Sequence, residues 1–178
     1  MIAELYVDGG VIGSNPSAIG GTYAVRLVHD DKHSIAESGV IGADDMGTDV
    51  TNNQTEMLAL LRGLACLPDD WAGTVYSDSQ VTLGRAFLGW KWRNIPEWMH
   101  QLYRQQRRRL VHWDQIKYVL LDGHPTKAQL AAGIGKRGHP VSEYNVWCDQ
   151  ACREAGERWL DIIGTNIPST LELELVSA

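Results

Sequence analysis

Alternation of apolar and polar residues marks the first strands of this chain. Residues 3–8 place Leu5 and Val7 on one face and Tyr6 and Asp8 on the other, so a strand is predicted that ends at Asp8, with Gly9 and Gly10 breaking it. Residues 21–29 and 33–41 flank Asp30-Asp31-Lys32, which predicts an antiparallel hairpin and three consecutive antiparallel strands. From Asn53 to Leu67 the period changes: Met57, Leu58, Leu60, Leu61, Leu64 and Ala65 recur at helical spacing, Glu56 lies in the first turn, and Pro68 ends the segment. Residues 73–77 form a short predicted strand with Asp78 at its end, and residues 79–88 resume a helical pattern.

Pro96 suits the first position of a helix running to about Val111, with Arg104, Arg107, Arg108 and Arg109 near its C-terminus, where cations suit the helix dipole. Residues 116–121 form the fifth strand. A glycine-rich loop then leads to a last helix capped by Ser142 and continuing to about Trp159, with Asn145 and Asp149 on one face. The order β-β-β-α-β-α-α-β-α predicts an α/β fold, a five-stranded mixed sheet flanked by helices. Residues 1–160 are expected to form one domain, and residues 161–178 a C-terminal tail that is peripheral or disordered.

Composition adds limits. The length of 178 residues suits a single domain, and 44% hydrophobic with 21% charged residues is ordinary globular usage. No apolar run approaches the roughly 20 residues that span a bilayer, and the N-terminus lacks a basic stretch followed by an apolar one, so a cytoplasmic, monomeric protein without membrane attachment is expected. Cys66, Cys148 and Cys152 cannot all pair within one chain and read as free buried thiols. The formal charge of −6 argues against indiscriminate nucleic-acid binding, although an acidic site reaching phosphate through metal ions, beside the local arginine patch, gives the same total.

Four carboxylates stand in distinctive settings: Asp8 in Leu-Tyr-Val-Asp-Gly-Gly, Glu56 in Thr-Asn-Asn-Gln-Thr-Glu, Asp78 in Tyr-Ser-Asp-Ser-Gln and Asp149 in Val-Trp-Cys-Asp. Any one alone reads as a solvated surface charge, as do Asp45, Asp49, Asp69, Asp70 and Glu154. Brought together, the four would repel one another unless cations sat between them, and hard divalent ions prefer such oxygen ligands.

These residues together resemble type 1 ribonuclease H. The matching features are Asp-Gly on strand one with Asn-Pro soon after, Thr-Asn-Asn-x-x-Glu opening the first long helix and Ser-Asp-Ser-Gln after strand four; Gly-His after strand five and Asn-x-x-x-Asp in the last helix complete them. The resemblance covers about residues 3–155 and implies a ribonuclease H-like sheet whose second strand is antiparallel to the others, with the acids meeting at one edge. It implies that Asp8, Glu56, Asp78 and Asp149 bind two Mg²⁺ ions, or Mn²⁺, and that His124 assists proton transfer or product release. It further implies that Asn52, Asn53, Gln80 and, less directly, Asn15 contact an RNA–DNA hybrid. The reaction implied is hydrolysis of the RNA strand by two-metal-ion catalysis, leaving 5′-phosphate and 3′-hydroxyl ends.

Several features stay open at the level of sequence. His139 competes with His124, because it lies ten residues before Asp149 while His124 follows strand five directly. Glycines at 133, 135 and 138 suggest that the intervening loop is mobile. Asn52 or Asn53 could instead cap the helix. The basic, Trp-rich projection of some family members is shortened here to residues 89–95, where Trp90, Trp92 and nearby Trp98 read as packing residues. The alternatives are a nuclease of the same fold acting on branched or duplex DNA or on double-stranded RNA, and a hybrid-binding module without catalysis.

Overall fold

The computed structural model describes residues 1–165. Strands β1 (Ile2–Val11), β2 (Gly20–His29), β3 (Ser34–Gly42), β4 (Thr74–Ser77) and β5 (Lys117–Leu120) form one sheet in the order β3-β2-β1-β4-β5. β1 pairs antiparallel with β2 and β2 with β3, whereas β1–β4 and β4–β5 are parallel, so β2 alone opposes the rest. Among the described residues six α-helices accompany the sheet: α1 (Ala43–Met46), α2 (Asn52–Ala65), α3 (Gln80–Phe87), α4 (Glu97–Arg109), α5 (Lys127–Ala132) and α6 (Glu143–Thr165). The order of strands and long helices matches expectation, while α1 and α5 are short additions.

Element ends depart from the sequence reading for local reasons. β1 does not stop at Asp8, because Gly9, Gly10 and Val11 stay paired with Tyr23, Thr22 and Gly21 of β2. A methyl group on Gly9 would overlap the backbone of Thr55 and Glu56, so this glycine marks where α2 presses on the sheet. Pro96 takes the N-cap position with extended ψ of 145° rather than the first helical one, and α4 ends at Arg109 because Leu110 turns to extended backbone and is buried. α6 continues to Thr165, so residues 161–165 are helix, not tail. The remainder of the expected tail lies outside the described residues.

The two faces of β1 divide the core. Leu5 and Val7, with Val25, Leu27 and Val75, pack against Met57, Leu60, Leu61 and Leu64 of α2 and against Leu83 and Met99. Tyr6, Ala24, Val28 and Leu121 pack against Cys148, Ala151 and Cys152 of α6. A helix of α2's length is marginal alone in water. Burial of Met57, Leu58, Leu60, Leu61 and Leu64, at about 1.5–3 kcal/mol each, therefore decides whether it forms. The cysteines are all unpaired; Cys148 and Cys152 are buried as expected, but Cys66 is exposed because α2 ends there at the surface. Among the described residues no helix is long and apolar enough to cross a membrane.

The arginine patch on α4 is largely consumed within the molecule. Arg109 donates to the Leu64 and Leu67 carbonyls at 2.7 Å each and reaches Asp69, closing the C-terminal end of α2. Arg104 pairs with Glu97 at 2.7 Å, and Arg107 lies 5.2 Å over the Trp113 ring. Residues 89–95 form no projecting helix; buried Arg85 of α3 holds them through the Lys91 and Arg93 carbonyls. Trp92 donates to the Arg85 carbonyl, Trp98 packs on the core, and Trp90 lies across Gly84 while staying 42% exposed.

Arg109→Ala is expected to lower stability by about 2 kcal/mol, since the charged donor to the Leu64 and Leu67 carbonyls is lost. Arg108→Ala, which removes no partner among the described residues, should stay within about 0.5 kcal/mol. Equal losses in urea denaturation would show that Arg109 is no more than a solvated helix end.

Candidate active site

Strand register brings the first two acids together. β1 pairs with β4 as Glu4 with Thr74, Leu5 with Val75 and Tyr6 with Tyr76. Extending that register by two residues sets Asp8 opposite Asp78, where the two strands part. Asp78 is held there because Ser79 immediately caps α3, its hydroxyl accepting from the Thr82 amide at 3.3 Å. Glu56, in the second turn of α2, reaches the same point from the opposite face of the sheet, since Gly9 lets the helix approach. Carboxylate oxygens of Asp8, Glu56 and Asp78 all lie within 4.8 Å of one another.

Asp149 comes from α6, which the Cys152 thiol ties to β1 by donating to the Asp8 carbonyl at 3.5 Å. It lines the same groove of about 450 Å³ as Asp8, Glu56, Asp78, His124 and Asn52, yet stands outside the tight cluster of three. Its Oδ2 accepts from Arg153 at 3.0 Å and lies 3.7 Å from His124 Nδ1. One helical turn earlier, buried Asn145 donates to Asp78 Oδ2 at 3.5 Å.

The cluster is electrostatically tense. Burial, then the Asp78 charge, pushes the Asp8 carboxyl well above the usual range, against the opposing Gly9 amide and with a further push from Asp149. Burial followed by Asp8 and Asp78 raises Glu56 in the same way. Asp78 is raised by burial, an effect that Asn145 and His124 partly oppose. Glu56 Oε2 is shielded from solvent and has no hydrogen-bond partner among the described residues. An all-oxygen, anionic donor set with one such orphaned oxygen fits a hard divalent cation.

The two candidate histidines part company. Gly123 lies against the Asp78 carboxylate so closely that a methyl there would overlap it, and His124 follows with a left-handed φ of 50°, its side chain 78% exposed at the groove. His139 does not line this groove. It belongs to the turn around Asp122, its carbonyl accepting from the Gly135 amide at 2.9 Å.

Capping of α2 falls to Thr51 rather than to Asn52 or Asn53. The Gln54 side chain accepts from the Thr51 amide at 2.7 Å and donates to the Asn94 carbonyl at 3.0 Å, joining the helix start to the shortened projection. Asn15 Oδ1 accepts from the Asn52 amide at 3.4 Å, which brings the Asn-Pro segment to the same place. The side chains of Asn52, Asn53 and Gln80 are exposed and have no hydrogen-bond partner among the described residues. Gln54, Asp122, Arg137 and Arg153 were missed at the level of sequence. The Thr51-x-x-Gln54 spacing is a helix-start signature that would have found the first, and the i, i+4 relation to Asp149 would have found Arg153; nothing local marks Asp122 with Arg137.

No family model matches the chain. Relatives named Ribonuclease H do: that of Rhodopirellula baltica is 33% identical over 160 residues, 88% of this chain and 92% of that protein. That of Thermoanaerobacter sp. strain X514 is 28% identical over 157 residues, 88% of this chain and 91% of that protein. Among solved structures, RNase H1 of the halophilic archaeon Halobacterium salinarum superposes with a TM-score of 0.56 at 19% identity, covering 87% of this chain and 97% of that one. The N-terminal RNase H domain of a Mycobacterium tuberculosis protein does so with a TM-score of 0.55 at 18% identity, over 90% and 99%. The two solved structures share the fold, and the identity to the Rhodopirellula relative across nearly the whole of both chains means that this chain belongs to the ribonuclease H family.

Proposed function

We propose that the protein is a metal-dependent endonuclease that hydrolyses the RNA strand of RNA–DNA hybrids and leaves 5′-phosphate and 3′-hydroxyl ends. The observation that carries this reading is the convergence of Asp8, Glu56 and Asp78, with Asp149 facing them, around the orphaned Glu56 Oε2 in an open groove. The name carried by the relatives supports the same substrate class. These four acids would hold two Mg²⁺ or Mn²⁺ ions, which when bound shield phosphate charge, acidify a water and stabilise the leaving oxygen.

The chain's own groups fit that task. Cys152 lines the groove, but burial and the neighbouring Asp8 push its thiol up, and it donates to a carbonyl; it is no nucleophile. His124, exposed beside Asp149 and Asp78, stands where it can carry a proton to or from a reacting oxygen. Exposed amides of Asn52, Asn53 and Gln80, with Asn15 beside them, can donate to and accept from the 2′-hydroxyls and base edges of a minor groove, which favours a hybrid over duplex DNA.

The raised carboxyls tie stability to pH. Protons bind Asp8, Glu56 and Asp78 more tightly in the folded than in the unfolded chain, so the folded state carries more protons above the ordinary carboxylate pKa of about 4. Stability without metal therefore falls as pH rises through that value and through the raised ones. In chelator at pH 7, Glu56→Gln is expected to raise the Tm by on the order of 3 °C, about 1 kcal/mol for a domain of this size. The gain should shrink near pH 4, where the native carboxyl is already neutral. An equal gain at both values would dissociate it from the charge cluster.

With Mg²⁺, labelled hybrid should be cut in preference to duplex DNA and duplex RNA, and Asp78→Asn should slow hybrid cleavage at least roughly a hundredfold, about 2.7 kcal/mol of barrier. Preferential cutting of either duplex would assign the site to another nuclease class, and binding of hybrid without hydrolysis would leave only a binding module. His124→Ala should lower kcat by about a hundredfold, in the range of general acid–base assistance, whereas His139→Ala should leave kcat within about twofold; the reverse ranking would transfer the role to His139.

A further inference from the structure

The segment between β5 and α6 is built around one buried carboxylate. Asp122, 3% exposed, accepts from the Arg137 amide at 2.6 Å and from Arg137 Nε at 2.7 Å, while the guanidinium also donates to the Leu121 carbonyl at 3.2 Å. The Asp122 amide in turn donates to the Pro140 carbonyl at 2.9 Å, and Ile134 bridges Pro140. Gly135 lies so near that a methyl on it would overlap the Asp122 side chain. Residues 134–140 are thus a closed turn wrapped on Asp122. Burial pushes the Asp122 carboxyl up, but the Arg137 side chain and amide outweigh it and hold the group below the usual carboxylate range.

Two residues further on stands His124, in left-handed backbone that a side chain adopts at a cost and keeps only where its surroundings over-determine it. On one side that constraint is Gly123 against Asp78. One residue before Gly123, on that same side, the Asp122–Arg137 contact anchors the backbone. We infer that Asp122 and Arg137 form a latch that positions His124 over the groove, so that a residue thirteen positions further along the chain sets the place of the proton carrier. The latch rests on the role given to His124 under the proposed function, and it makes Asp122 and Arg137 positioning residues, not groups that touch the reacting atoms.

The test compares Arg137→Ala and Asp122→Asn, each alone and combined with His124→Ala, in the full chain. Each single substitution should lower kcat for hybrid about tenfold, within the hundredfold that a displacement of about 1 Å can cost, with KM within about twofold. In the His124→Ala background neither should lower kcat further. In the metal-free protein the His124 ring resonances should shift or broaden in both variants, while those of His33 stay in place. A further tenfold loss in the His124→Ala background, or a rise in KM in both backgrounds as for a phosphate contact by Arg137, overturns the latch. So do unchanged His124 resonances. Should Arg137→Ala fail to fold, Arg137→Lys keeps the charge but not the forked contact and should give the same pattern at smaller amplitude. If the native protein leaves hybrid uncut, the functional reading falls by itself, and the ring resonances still decide whether the latch holds His124.

Discussion

Everything near the groove depends on holding three carboxylates closer together than their charges favour. Two unit charges about 4 Å apart repel by roughly 1 kcal/mol in water and about 4 kcal/mol in the effective dielectric of a protein surface. Asp8, Glu56 and Asp78 lie within 4.8 Å of one another at a partly buried place, so the repulsion is of the second kind. What opposes it is not local. β1 and β4 are fixed in parallel register by the sheet, and α2 is pressed on Gly9 by the apolar contacts of Leu60, Leu61 and Leu64. The core on the α2 face carries the strain of the acids; protons relieve it in part, and cations would relieve it further.

That dependence explains which features could be read from the chain. Alternation in residues 3–8 assigned Leu5 and Val7 to one layer and Tyr6 to the other because side-chain direction in a strand is a local property, and both layers were found as expected. The end of β1 was misread because glycine weakens a strand only on its own; pairing with Tyr23, Thr22 and Gly21 holds it. The role of Gly9 could not be seen at all, since it depends on a helix more than forty residues away. The convergence of the acids was legible through the order of their motifs, which the resemblance supplied, and not through spacing alone.

Glycines between β5 and α6 likewise take their meaning from distant partners. Counted together, Gly133, Gly135 and Gly138 read as a mobile loop. Placed in the structure, each has a position to fill: Gly133 ends α5 with φ of 73°, Gly138 takes φ of 86° in the turn, and Gly135 leaves room for the Asp122 side chain. A cluster of glycines signals unusual backbone, and whether that backbone is loose or tightly specified depends on partners such as Arg137 that lie outside any local window.

The arginines of α4 carry the argument furthest from composition. A run of four near a helix end suggests a phosphate-binding patch, but Arg109 closes α2, Arg104 pairs with Glu97 and Arg107 covers Trp113. Half of that charge is already paired with carboxylates, and the whole chain carries −6. A polyanion approaching this protein therefore gains little from long-range attraction and meets, at the groove, the carboxylates of Asp8, Glu56, Asp78 and Asp149. Neutralising the acids is then the condition for binding: a cation settling among Asp8, Glu56 and Asp78 would relieve the repulsion that a phosphate meets there, and Arg153, which lines the groove, already pairs with Asp149.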